Sequence, residues 1–280
     1  MLLKFFFIIF TLLYQTVGYT KTSDKNDFNY KYLSSYFSAL ISFDNQKNNK
    51  ALEFFESSKY LKKKHNKYLK EYVYSLVLDG QIKKAVNQIK SSRNTKNSNF
   101  FEGKLLLVLD LMNKKKYIQA SNTIKSFNVS NDNTYELIII KTLESFNNLF
   151  KNKKLQSSTS DFGKLSLIVN AFQSCYLNSN KTDSHFLNLI NSAEGDYSRY
   201  LFFYLSNVIE NKDYKTAKQI SKTIEPFSST LLISQSKKWI DNKNYKKFNK
   251  HFSCQNENDL LSEFFFLISN LYSSQNIIET

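Results

Sequence analysis

The chain has 280 residues, an apolar fraction of 41% and a formal charge of +15, with 5 glycines and 1 proline. That apolar content excludes wholesale disorder, and so little glycine and proline argues against the many tight turns of a sandwich, barrel or doubly wound sheet. Nearly all the positive charge is lysine, arginine occurring only at Arg93 and Arg199, so sequence-specific nucleic-acid recognition lacks the planar fork that reads base edges.

The N-terminus places Lys4 ahead of an apolar run from Phe5 to Phe10, followed by Leu12 and Leu13. This is the layout of a secretory signal, with Thr16 and Gly18 as the small residues of a cleavage site. The expectation is a signal peptide at 1–18 and a polar linker at 19–31. An uncleaved N-terminal segment holding the chain to a membrane is the alternative, although the run is short of the twenty or so apolar residues of a spanning helix. Export would put Cys175 and Cys254 in an oxidising compartment. Nothing in the sequence brings the two within bonding distance, so they read first as small apolar residues on separate helices, one disulfide being the alternative.

Beyond the linker, small residues recur in one register. Ala51 follows Asn48-Asn49-Lys50, Ala85 follows Ile82-Lys83-Lys84, Ala120 follows Tyr117-Ile118-Gln119 and Ala217 follows Tyr214-Lys215-Thr216. Phe248 takes the same place after Asn244-Tyr245-Lys246-Lys247. A small side chain where two helices cross lets their backbones approach, so these alanines mark packing positions of successive helical hairpins. Upstream of Ala85, Tyr68, Leu69, Tyr72, Val73, Leu76 and Val77 recur at helical steps, and Gly80 stands where that helix must turn.

The units read as 32–65, 66–99, 101–130 and 198–227, with a weaker one at 229–254 and an irregular, still helical section at 135–194. Leu260, Leu261, Phe264, Phe265, Ile268, Leu271 and Tyr272 form one more first helix. The array at 32–280 therefore ends on an incomplete unit, which implies a truncated chain or a second chain completing the stack.

The spacing of 34 residues from Ala51 to Ala85, the small residue opening each second helix and the preceding aromatic make the chain resemble the tetratricopeptide repeat. The match departs from the family in carrying Ala39, Val73, Val108 and Leu205 where the first helix usually has glycine, and Pro226 alone where units often end in proline. The resemblance implies an all-α fold, a right-handed α-solenoid of helix-turn-helix repeats, similar to exported bacterial proteins of this type, and so a periplasmic location. It also implies a concave groove lined by first helices, with Tyr36, Leu40, Phe43, Lys70, Tyr74, Val77 and Phe202 as candidate binding residues.

Chemistry is sparse. The glycines form no phosphate-cradling loop. His65, His185 and His251 lie far apart with no HExxH partner, neither cysteine has a second at ligand spacing, and so no metal or cofactor is expected. His185 follows Asp183 and Ser184, but adjacency in sequence does not build a catalytic triad, and Glu53 and Glu56 are an ordinary helical surface pair. The expected function is a non-enzymatic scaffold or adaptor that binds a protein or peptide through its groove. Lysine-mediated attachment to an anionic polymer or membrane surface is the alternative, resting on clusters at 62–64, 114–116, 237–238 and 246–247.

Overall fold

A computed structural model describes residues 30–92, 98–128, 134–155, 163–191, 198–224 and 231–274. The expected signal at 1–18, nearly all of the linker, Arg93 and Pro226 lie outside these. Among the described residues there are 13 α-helices and no strand. No described helix is long and apolar enough to cross a membrane. The chain divides into two compact units, Met1–Gly103 and Lys104–Thr280.

The first unit contains α1 (Tyr30–Asp44), α2 (Asn48–Ser57), α3 (Tyr68–Leu78) and α4 (Ile82–Ser91). Helix α1 packs on α2, α2 on α3 and α3 on α4. The interior is aromatic: the Phe55 ring meets the edge of Tyr68 at 5.6 Å, and Tyr36 stacks on Tyr68 at 5.9 Å. Buried tyrosines need a partner for their hydroxyls, and the Tyr68 hydroxyl donates to the Phe55 carbonyl.

Helix α5 (Phe101–Asn113) leads into the second unit, which continues with α6 (Tyr117–Ile124), α7 (Thr134–Asn152), α8 (Lys164–Tyr176), α9 (Thr182–Ile190), α10 (Ser198–Glu210), α11 (Tyr214–Thr223), α12 (Leu231–Asp241) and α13 (Glu257–Ser274). A 3-10 turn, Tyr245–Lys250, stands between α12 and α13. The irregular section is helical as expected, supplying α7, α8 and α9.

Six hairpins turn in the same way. At Gln46, Gly80, Lys115, Asn178, Lys212 and Lys243 the backbone enters the left-handed region. The N–H of Gln46 donates to Phe43 (2.8 Å) and that of Lys47 to Ser42 (2.8 Å), and the equivalent pair of bonds closes the other five. This arrangement satisfies the last carbonyls of a helix through one left-handed residue, a position that glycine fills without strain. Only Gly80 is glycine. The scarcity of glycine therefore did not mean a scarcity of such turns; asparagine, glutamine and lysine occupy them at a conformational cost of about 1 kcal/mol each.

After five of these turns comes a residue with ψ between 49° and 71°, and then the second helix. Ala51, Ala85, Ala120 and Ala217 each lie five positions past the left-handed residue, fully buried, as does Phe248. Each alanine N–H makes the first bond of its helix, 3.0 to 3.1 Å to the carbonyl four residues back.

Helix α13 departs from a simple stack, in which each repeat touches only its neighbours. Its Phe264 ring lies 6.2 Å from Phe146 on α7, and the Tyr117 hydroxyl of α6 donates to its Glu257 at 2.7 Å. Leu260, Leu261, Phe264 and Ile268 are buried. The face expected to await a second helix is thus covered by elements from the start and middle of its own unit; the side chains of Leu271 and Tyr272 lie outside the described residues.

Glu263, on the same helix and only 4% exposed, receives two bonds from Arg199: Nε to Oε1 at 2.7 Å and Nη2 to Oε2 at 2.6 Å. Such a bidentate pair both neutralises and orients the buried carboxylate. One of the two arginines is therefore committed to packing.

The cysteines, read first as unpaired, are bonded. Cys175 lies in the last turn of α8 and Cys254 precedes α13, their Cα atoms 5.6 Å apart. What joins them is the return of α13, which no local pattern announces.

Candidate binding site

The seven candidate groove residues separate on folding. Tyr36 is buried in the first unit and its hydroxyl donates to Glu71 at 2.5 Å. Phe202 is buried in the second unit, stacked on Phe248 at 5.6 Å. These two are core residues, because each points from its helix towards the adjoining aromatic cluster. Leu40, Phe43, Lys70 and Tyr74 are half-buried and Val77 is at the surface.

Lys70 and Tyr74 are one helical turn apart on α3 and meet Glu102. The Lys70 ammonium lies 3.2 Å from the Glu102 carboxylate and 5.4 Å from the Tyr74 ring centre. Burial alone pushes the Glu102 carboxyl up, but bonds from Tyr74 and Lys70 outweigh it and hold the group below the ordinary carboxylate range. The same balance holds Glu56 low, where Lys84 at 2.8 Å and the Tyr72 hydroxyl overcome burial. Both clusters bind helices together within the first unit.

Many of the clustered lysines are engaged inside the fold. Lys62 donates to Gln88 (2.7 Å) and Ser91 (3.0 Å), Lys114 pairs with Asp110, Lys237 donates to the Ile224 carbonyl and Lys247 sits over Trp239.

A different site emerges in the second unit. The C-terminal ends of α5, α7 and α8 meet the segment leading into α13 around a cleft of about 630 Å³. Its back wall is organised by Glu257. Oε2 accepts from Tyr117 at 2.7 Å, Oε1 accepts from Tyr176 at 2.7 Å, and the Lys153 ammonium approaches Oε1 at 3.2 Å. Burial, reinforced by the neighbouring carboxylate, pushes the Tyr117 phenol well above its ordinary range, so it stays a donor.

The disulfide fixes the adjacent wall. Cys175 precedes Tyr176, and Cys254 precedes Gln255, whose amide donates to the Cys175 carbonyl at 3.2 Å and to Asn178 at 3.1 Å. Across the mouth, the Asn258 amide donates to Asn113 at 3.2 Å. Lys115, held in the left-handed turn after α5, lines the cleft, and its ammonium has no partner among the described residues.

Of these cleft residues only Lys115, within the cluster at 114–116, was a candidate from sequence. The polar run Ser253 to Asn258 between apolar Phe252 and Leu260 was the available signal, but its contacts lie up to 145 positions away. Among the described residues no three metal-ligating side chains gather. No family model, no curated protein and no solved structure matches the chain.

Proposed function

We propose that the chain is an exported, non-enzymatic scaffold, a tetratricopeptide-like solenoid, that holds a protein or peptide bearing apolar and acidic side chains against its first unit. The supporting observation is the outer face of α1, where Tyr30, Phe37 and Ile41, spaced seven and four residues apart on one side of the helix, are 81%, 56% and 62% exposed. Large apolar side chains aligned on one exposed face are favourable to cover, and such alignment marks interaction surfaces. Half-buried Leu40 lies at the edge of that face, whereas Phe43, seven residues after buried Tyr36, lies on the inner side. The net charge of +15 favours an acidic partner.

Two further observations support the reading. A disulfide fits an oxidising compartment outside the cytoplasm. The carboxylate in the second unit's cleft, which acid–base chemistry would need available, is committed to three internal donors.

The test is fluorescence anisotropy with two labelled amphipathic peptides of identical leucine spacing, one flanked by glutamates and one by lysines. The glutamate-flanked peptide is expected to saturate the wild-type protein and to lose binding when Phe37→Glu and Ile41→Glu are combined. Saturation by neither peptide, or binding indifferent to those substitutions, overturns the proposal. Binding of a polyanion that collapses with salt and ignores Phe37 and Ile41 would instead favour the lysine-surface alternative.

A further inference from the structure

We propose that the cleft of the second unit is a binding site for a carboxylate-bearing ligand, seated at Lys115 and Lys153 and steadied by the amide of Asn113. The inference stands apart from the first-unit surface.

It rests on the charge of the lining and on which of its polar groups are already engaged. Lysine offers three donors and a primary amide two, with one carbonyl oxygen able to accept. Lys153 directs its donors to Glu257 and Tyr176, leaving one. Both Gln255 amide protons are taken by Cys175 and Asn178, and one Asn258 proton by Asn113. Among the described residues Lys115 retains all three donors and Asn113 both. Glu257 already accepts from Tyr117, Tyr176 and Lys153, so its charge is compensated within the wall.

The charge of the lining, two lysines against one glutamate, is positive by one, and the Lys115 ammonium is the part that no described side chain compensates. A concave polar surface with a surplus positive charge and free N–H donors is complementary to an anion whose several oxygens accept. A volume of about 630 Å³ admits a small polycarboxylate or the end of an acidic peptide. The wall is pre-organised, since the disulfide and the Glu257 bonds fix Tyr176, Gln255 and Asn258 before any ligand arrives, which lowers the ordering cost of binding.

Calorimetric titration with citrate and, separately, with the tripeptide Gly-Glu-Gly distinguishes a free polycarboxylate from a peptide source, with sorbitol as the neutral control. Saturable binding of at least one of the two anions and none of sorbitol is expected. Lys115→Gln is expected to weaken it about tenfold, about 1.4 kcal/mol, while Lys116→Gln, outside the lining, leaves it unchanged. Matched thermal unfolding of both variants establishes that the loss is local. No saturable binding of either anion, or equal weakening by both substitutions, overturns the proposal; the latter means diffuse attraction to surface charge.

Discussion

The Tyr117 hydroxyl and the Glu257 carboxylate, 140 positions apart, meet at 2.7 Å. Through that bond the first turn of α13 is tied to the first turn of α6, while Tyr176 brings the end of α8 to the same carboxylate. One acidic side chain therefore joins three helices. Replacing Glu257 by Ala leaves two phenols and an ammonium without their acceptor and is expected to cost about 1 to 3 kcal/mol. Urea denaturation should show it, and Glu257→Gln, which still accepts, should recover part of the loss.

The disulfide closes a loop over 79 positions. Restricting the unfolded chain in this way is worth about 4.5 kcal/mol by loop entropy. Cys175→Ser with Cys254→Ser, or full reduction, should lower the unfolding free energy by that order. A first unit that unfolds unchanged while the second loses stability would locate the effect, and hydrogen exchange distinguishes the two.

Left-handed turns give a prediction of opposite signs. Gly80, at φ +76° with open space around its missing Cβ, has only backbone strain to gain from a side chain. Gly80→Ala should destabilise by about 1 to 2 kcal/mol. Lys212→Gly, at φ +61°, should relieve the same strain and stabilise by up to about 1 kcal/mol, the flexibility of glycine in the unfolded chain offsetting part. Thermal melts of the two variants check both.

Acid should act on the first unit through Glu56 and Glu102. Both carboxyls sit below their ordinary value, because donors from Lys84 and Tyr72, and from Tyr74 and Lys70, outweigh burial. A depressed native value means the unfolded chain takes up protons first. The stabilisation is therefore present above an unfolded value of about 4.3 and is lost as pH falls through the native values. Stability measured from pH 6 to pH 3 should decline below that point, and the combined Glu56→Gln, Glu102→Gln variant should decline less.

Hairpin positions were legible because they are local. The alanine register follows from close helix crossing, and Ala51, Ala85, Ala120 and Ala217 are all fully buried at the same place after a turn. Pairing of the cysteines, the Arg199 bond to Glu263 and the whole cleft were not legible, since each depends on where α13 settles. Tyr36 and Phe202 illustrate a subtler limit. A helical pattern says that such a residue is apolar and periodic, but a groove-lining aromatic and a core aromatic obey the same period until the neighbouring helix is placed. The turns at Lys115, Lys212 and Lys243 escaped because lysine gives no hint of a positive φ.

The covalent tie between Cys175 and Cys254 also governs what happens when a peptidase cuts the chain. Any single cleavage from α9 to the 3-10 turn falls inside the bridged loop, so both fragments travel together until a thiol reductant parts them. A nicked molecule would keep the mass and, with α13 still seated, much of the form of the whole.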